Sequence, residues 1–174
     1  MKYLVPLYFL AALQSCAACN GWTAKITSYK TCVNNSVIQL PSDGLEVLLD
    51  KDCNVYLKGC VEITKDYKTA KGAYLLRKPP LPELDGEMDF CSLDKKLKNI
   101  PDAMKALELL GVPTHCPVKA GKICGSPSKK ISVMKYKNQL GMAAGNSEVK
   151  VEIDHDVGKS CYELSFNVNR AKKG

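Results

Sequence analysis

Residues 113–125, with the sequence PTHCPVKAGKICG, bring together side chains that can do chemistry. Cys116 and Cys124 lie eight positions apart, and His115 precedes the first of them. Thiolates and imidazole nitrogens bind metal ions, and a pair of thiols can carry out redox chemistry. Two oxidised cysteines can instead cross-link a turn. These three interpretations imply different kinds of protein.

The histidines favour neither a metal site nor a base for catalysis. The chain has two, His115 and His155. A zinc site needs three or four ligands at suitable spacings, and His115 with Cys116 and Cys124 matches none of them. His155 stands between Asp154 and Asp156 near the end of a predicted strand. It is interpreted as part of an exposed polar cluster, with calcium binding by this acidic turn as the weaker alternative.

Sequence motifs of the common enzyme classes are missing. There is no Gly-x-Ser-x-Gly nucleophile turn and no glycine-rich phosphate loop. Asp50 and Asp52, beside Cys53, are interpreted as solvated turn residues. We therefore predict that the protein is not an enzyme and uses no metal or other cofactor.

The first residues resemble a secretory signal. Lys2 is followed by an apolar, uncharged run from Tyr3 to Leu13, and Ser15 and Ala17 are small residues suited to signal cleavage. We predict a signal peptide over residues 1–17 and one domain over residues 18–174. The mature protein is expected to be secreted, with the lysosomal lumen as the alternative compartment.

Removal of that segment leaves an even number of cysteines. The chain has nine, and Cys16 lies in the predicted signal, so eight remain. In an oxidising compartment an even number favours four structural disulfides. The sequon beginning at Asn34 adds a predicted surface glycosylation site.

Charge excludes one class of partner. The formal net charge is +7, but the lysines are spread along the chain without interleaved aromatic residues. Nucleic-acid binding is therefore not predicted. A solvated basic surface is the simpler interpretation, and weak attraction to an anionic membrane surface is the sharper one.

Apolar residues alternate with polar ones over much of the chain. Residues 53–64, 148–156 and 161–170 read as strands, with shorter candidates at 36–40, 73–78 and 130–137. The last two long strands are expected to form a hairpin across residues 157–160. Residues 77–86 are proline-rich and read as an extended loop or an edge segment. Residues 92–111 have helical periodicity and predict a short helical turn, a break at Pro101, and a helix over about residues 101–110. The expected fold is all-β, an antiparallel sandwich with one short helical insertion.

Two stretches resemble a known family. Cys116, Pro117, Lys119 and Gly121 match the Cys-Pro-x-Lys-x-Gly motif of the ML lipid-recognition superfamily. The late strand over residues 145–156 and its partner beginning at Cys161 match that family in order, and residues 89–97 look most like its ganglioside-activator branch. The resemblance implies an immunoglobulin-like sandwich whose two sheets are splayed to admit a lipid.

The resemblance also suggests disulfide pairs. It implies Cys19–Cys161 and Cys91–Cys116. Cys53 and Cys60 are close in sequence and could close a hairpin, which leaves Cys32 with Cys124. The last two have no clear counterparts in the ganglioside-activator branch.

The inward positions of the predicted strands and the apolar face of the predicted helix supply candidate ligand contacts. The expected cavity lining is Val55, Leu57, Val61, Ile63, Leu76, Val151, Ile153, Leu164 and Phe166. The expected cavity mouth is Leu97, Met104 and Leu107, with simple packing of this helix face onto a sheet as the alternative.

The family resemblance implies the predicted function, and the apolar interior expected from the strands agrees with it. We expect a secreted, monomeric carrier of a lipid or other hydrophobic small molecule, which can present it to a membrane surface or a partner protein. The alternative from another class is a disulfide-rich interaction module, such as an immune recognition factor or receptor ligand, with a filled core.

Overall fold

The computed structural model of the chain describes residues 18–41, 44–109 and 111–170. The predicted signal peptide, residues 1–17, lies outside them. The fold is all-β and sandwich-like, as predicted, with four disulfides. The strands are β1 (Trp22–Thr31), β2 (Ile38–Gln39), β3 (Glu46–Leu49), β4 (Asn54–Lys58), β5 (Cys60–Ile63), β6 (Ala70–Arg77), β7 (Leu84–Asp89), β8 (Gly121–Cys124), β9 (Lys130–Ser132), β10 (Gly145–His155) and β11 (Gly158–Arg170).

One layer is a five-stranded antiparallel sheet in the order β1-β11-β10-β6-β7. Its centre is the long hairpin of β10 and β11, in which His155 pairs with Gly158 across a two-residue turn. The predicted hairpin is therefore confirmed. Gly158 has a φ of +151° at the first position of β11. This left-handed backbone is readily adopted by glycine and lets the chain reverse tightly.

The second layer consists of two three-stranded sheets, β2-β5-β8 and β3-β4-β9. The alternating stretch predicted as one strand is divided into β4 and β5 by Gly59, whose φ is +111°. The Gly125 amide donates to the Gly59 carbonyl at 2.9 Å, where β8 leads on towards β9. A Cβ on Gly59 would lie 2.6 Å from the Gly44 carbonyl oxygen, so the bend requires glycine.

Short helices connect the strands: α1 (Leu93–Lys96), α2 (Pro101–Leu109) and α3 (Leu140–Ala143). The predicted helix over residues 101–110 corresponds to α2. Pro101 occupies its first position, where the missing N–H would have no partner in the helix. Two short 3-10 turns, Ala18–Gly21 and Met134–Tyr136, complete the described elements.

The two layers pack against each other through two apolar clusters. One joins Ile63 of the small sheet to Ile153 and Tyr162 of the large sheet, together with Val37 and Val118. The other contains Leu45, Leu57 and Leu109, so it places α2 over the small layer. These clusters enclose a volume that they do not fill.

One of the four predicted disulfides is present, and three are wrong. The structure joins Cys91 to Cys116, as the family resemblance implied. Cys32, rather than Cys19, pairs with Cys161. The reason lies in the register of β1 and β11: Thr31 faces Tyr162, and the Cys32 amide then donates to the Cys161 carbonyl at 3.0 Å. Cys32 and Cys161 are the next pair in this register and are therefore close enough to form a disulfide.

Strand geometry also excludes the predicted Cys53–Cys60 bond. The two cysteines flank β4, and a seven-residue extended step carries their Cα atoms roughly 20 Å apart, well beyond what a disulfide spans. Cys53 instead bonds to Cys19, beside the N-terminal 3-10 turn. Cys60 bonds to Cys124, which faces it directly across β5 and β8, so the predicted Cys32–Cys124 pair is wrong as well.

Candidate ligand-binding cavity

A cavity of about 490 Å³ lies between the two layers, and its wall is almost entirely apolar. The large sheet supplies one side through alternate residues of its central hairpin. Val149, Val151, Ile153 and His155 of β10 all line it. Because successive side chains of a strand point to opposite faces, this spacing of two assigns the whole set to one face.

The remaining wall comes from β11, β1 and the small layer. Tyr162, Leu164 and Phe166 line the cavity from β11, and Ala24 and Ile26 from β1. The small layer and the segments around it contribute a further group: Ile38, Leu40, Leu45, Val47, Leu57, Val61 and Ile63. Leu107 of α2 and residues 111–113 after it close another side.

Seven of the nine residues predicted as lining lie on this wall: Leu57, Val61, Ile63, Val151, Ile153, Leu164 and Phe166. Val55 and Leu76 do not. Val55 is half-buried and packs against the cluster of Leu45, Leu57 and Leu109. From β6 only Ala70, at the His155 end, lines the cavity, and Leu76 is at the other end of that strand.

Of the three residues predicted at the mouth, Leu107 alone lines the cavity. Met104 is half-buried elsewhere on α2. Leu97 follows α1 as its C-cap and is also half-buried, away from the cavity. The three predicted residues therefore do not form one apolar face. The helix is interrupted between α1 and α2, and the two helices do not share a continuous apolar surface.

Polar side chains gather at the hairpin end of the cavity. His155 Nε2 and Ser160 Oγ are 3.0 Å apart, and Ser160 Oγ also accepts a bond from the Ile38 amide at 3.1 Å. The Tyr162 hydroxyl donates to the Ile38 carbonyl at 2.6 Å and lies 3.3 Å from Ser36 Oγ. The Tyr67 ring stands against the imidazole, with centroids 4.5 Å apart. We call His155, Tyr67, Tyr162 and Ser160 the polar end.

Burial keeps this polar end uncharged. It lowers the pKa of His155, although Asp156 and Asp154 act in the opposite direction. It raises the pKa of Tyr67 to about 12, with Tyr162 adding to the effect, and it raises the pKa of Tyr162. At neutral pH the imidazole and both phenols are therefore neutral.

His155 corrects a sequence interpretation. It was expected in an exposed polar cluster, yet it is 8% exposed and lines the cavity. The flanking carboxylates point elsewhere: Asp154 pairs with Lys159, and Asp156 accepts bonds from the amides of Lys68 and Thr69. The signal that could have found it is the alternation of Val149, Val151 and Ile153, which continues to His155.

The segment over residues 113–125 is cross-linked rather than chemically active. Cys116 and Cys124 belong to two different disulfides, and His115 is exposed and bridges to Ser92. In the described part of the chain no group of three or more His, Cys, Asp or Glu side chains could hold a metal ion. Across those same residues, no helix is both long and apolar enough for a membrane crossing.

Asn34 of the predicted glycosylation sequon is exposed, in the turn after β1. Ser36, the third residue of the sequon, is buried and its hydroxyl faces Tyr162. The asparagine is thus open to carry a glycan, whereas the serine belongs to the core.

Comparison with known proteins gives one informative relative. No family model matches the chain. Sporozoite-associated mosquito saliva protein 1 of Anopheles gambiae is 32% identical over 163 residues, which cover 93% of this chain and 90% of the relative. The chain belongs to the family of that saliva protein. The alignment spans nearly all of both chains, so it includes most of the strands that line the cavity of this chain.

Proposed function

We propose that the protein is a secreted carrier that holds an apolar small molecule, such as a lipid, between its two β-layers and performs no covalent chemistry. The observation that carries this proposal is the cavity of about 490 Å³ with an apolar wall. Protein interiors are normally packed with few voids larger than a water molecule. Ligand sites, in contrast, commonly occupy roughly 300–1,000 Å³.

The composition of the wall accounts for binding without a catalytic group. Burial of about ten methylene groups gains roughly 8 kcal/mol at about 0.8 kcal/mol each, before the cost of association. Lys25 is exposed and also lines the cavity, so the cavity approaches the surface beside it. A ligand can enter there while its apolar part leaves water.

Two observations support secretion. Four disulfides join described cysteines, and such bonds persist in oxidising compartments. The relative is by name a saliva protein, which agrees with an extracellular location. We therefore propose extracellular fluid, rather than the lysosomal lumen, as the working environment.

Membership in the ML superfamily is part of the same proposal. The motif around Cys116 and the final hairpin carry the resemblance, and a cavity between two layers is what that resemblance implies. Of the two disulfide pairs that the resemblance implies, Cys91–Cys116 is present and Cys19–Cys161 is not, so support comes mainly from the cavity.

Native mass spectrometry of the protein purified from its natural source, followed by organic extraction, tests the proposal. We expect a bound apolar molecule in about one-to-one ratio. The purified protein, once delipidated, should also take up a fluorescent apolar probe such as N-phenyl-1-naphthylamine. Absence of both an extractable molecule and probe uptake would refute the carrier function and favour the interaction module.

A matched pair of variants locates the probe. Val151→Trp places a large ring in the cavity wall, whereas Lys150→Trp places the same ring on the opposite face of the same strand. We expect the first variant to bind the probe at least about tenfold more weakly, and the second to bind it like the natural protein. Equal binding by the two variants would show that the probe lies outside the cavity.

A further inference from the structure

His155 has a ring nitrogen with no partner. Its side chain lines the cavity and is 8% exposed, and Nδ1 is buried with no hydrogen bond to any described residue. A buried polar atom without a partner is costly, and such atoms in native proteins generally have an explanation. In the wall of an apolar cavity of ligand size, a ligand atom is one such explanation.

The hydrogen bonds of Ser160 bear on whether Nδ1 is a donor or an acceptor. Ser160 Oγ accepts from the Ile38 amide, and it lies 3.0 Å from His155 Nε2. Ser160 is 1% exposed, and its hydroxyl proton has two acceptors within reach, His155 Nε2 and the Tyr162 hydroxyl. When Ser160 donates to Nε2, the hydrogen of the neutral imidazole lies on Nδ1. Nδ1 is then a donor.

Tyr67 supplies a second donor beside it. Its ring is 4.5 Å from the imidazole, and it also lines the cavity. No hydrogen bond joins the Tyr67 hydroxyl to another described residue, in contrast to Tyr162, whose hydroxyl donates to Ile38. The polar end therefore carries two donors that the described residues leave unmatched.

The charges around this end disfavour a carboxylate as the natural acceptor. His155 is flanked by Asp154 and Asp156, which would repel an anion. Lys68 and Lys159 lie on the outer side with those carboxylates. Among the described residues that line the cavity, Lys25 is the one Lys or Arg, and it pairs with Asn167, nine residues along β11 from Gly158 at the His155 end. These described lining residues therefore place no Lys or Arg at the His155 end to compensate a buried carboxylate.

We propose that the polar end binds an uncharged oxygen, a hydroxyl or carbonyl, of an otherwise apolar ligand, through donation from His155 Nδ1 and the Tyr67 hydroxyl. This inference rests on the proposed carrier function and specifies its ligand class: long-chain alcohols, ketones, aldehydes or esters. The ligand enters with its oxygen leading, and its hydrocarbon part lies along Ile153, Val151 and Val149.

Competition for the bound naphthylamine probe measures the preference. At pH 7.4 we expect dodecanol and dodecan-2-one to displace it at least about tenfold more effectively than dodecane, and more effectively than laurate. Tyr67→Phe and His155→Leu should each lower the alcohol-to-alkane preference by about three- to tenfold, because each removes one donor. Tyr56→Phe is the matched control, since Tyr56 packs against the Leu45 cluster outside the cavity wall.

The outcomes separate the two proposals. If the probe binds but dodecane and dodecanol compete equally, or laurate competes best, the carrier function stands and the uncharged-oxygen inference is overturned. If no probe binds, the carrier function itself fails. Should His155→Leu not fold, Tyr67→Phe retains the ring and carries the test. Nitrogen NMR of His155 gives an independent check: hydrogen on Nε2 rather than on Nδ1 would overturn the inference.

Discussion

Replacing Cys32 and Cys161 with alanine removes the disulfide that closes the longest loop of the four. This bond spans 129 residues and joins the end of β1 to β11 at the hairpin end of the cavity. Cys91 and Cys116, which span 25 residues, provide a matched control. The two double variants delete the same atoms, so they differ in the length of the loop that is opened and in the burial of the cysteines.

The entropic model gives the magnitudes. Closing a 129-residue loop restricts the unfolded chain by about 4.9 kcal/mol, and closing a 25-residue loop restricts it by about 3.5 kcal/mol. We therefore expect the Cys32/Cys161 variant to lose about 1.4 kcal/mol more free energy of unfolding than the control. Its cost also includes packing, because Cys161 is buried in the core whereas Cys91 and Cys116 are half-buried.

Urea denaturation of the oxidised proteins, followed by far-UV circular dichroism, measures both losses. Peptide mapping of the natural protein without reduction establishes the pairs themselves. A control variant that loses as much stability as the Cys32/Cys161 variant would contradict the loop-length reasoning. Recovery of a Cys19–Cys161 peptide would contradict the register of β1 on β11 from which the argument starts.

Two further predictions concern stability. Because burial lowers the pKa of His155 below 6.5, its unfolded form takes up a proton first as the pH falls. The contribution of His155 to the free energy of unfolding should therefore be constant above pH 6.5. Below pH 6.5 this contribution should decline by at most about 1.4 kcal/mol per pH unit. In His155→Gln this part of the slope should disappear in urea titrations, and an unchanged slope would assign it to other groups. Gly72→Ala should cost at least about 2 kcal/mol, because its Cβ would lie 2.0 Å from the Glu152 carbonyl oxygen of β10. The control Gly141→Ala, with no atom within 4 Å of the new Cβ, should be neutral or stabilising, and equal losses would argue against the tight pairing of β6 with β10.

Alternation was the part of the sequence that predicted structure well. It identified β10, β11 and their hairpin, and it assigned Val151, Ile153, Leu164 and Phe166 to one inward face. A half-buried strand records its environment in every second residue, so local sequence is enough. The same logic located Leu57, Val61 and Ile63 on both sides of a bend that it did not foresee.

Long-range geometry was the part that local sequence did not contain. The bend at Gly59 depends on the approach of the Gly44 backbone, which the pairing of β3 with β4 brings beside it. Disulfide partners depend on register: Cys60 faces Cys124 only because β5 and β8 align at that residue. A single sequence specifies which cysteines are available, but the strand pairing decides which of them meet.

His155 shows how one residue can carry both kinds of information. Its neighbours Asp154 and Asp156 make the local composition look exposed, and this favoured the wrong interpretation. Its position in the alternation assigns it to the inward face, where Tyr67 and Ser160 surround it. In a paired strand, periodicity is therefore a better guide than local polarity to whether a side chain faces inward. The reason is that the strand's hydrogen-bonded register fixes the face of each side chain, whatever its polarity. A polar residue that keeps the inward phase of an apolar strand is thus a candidate ligand contact.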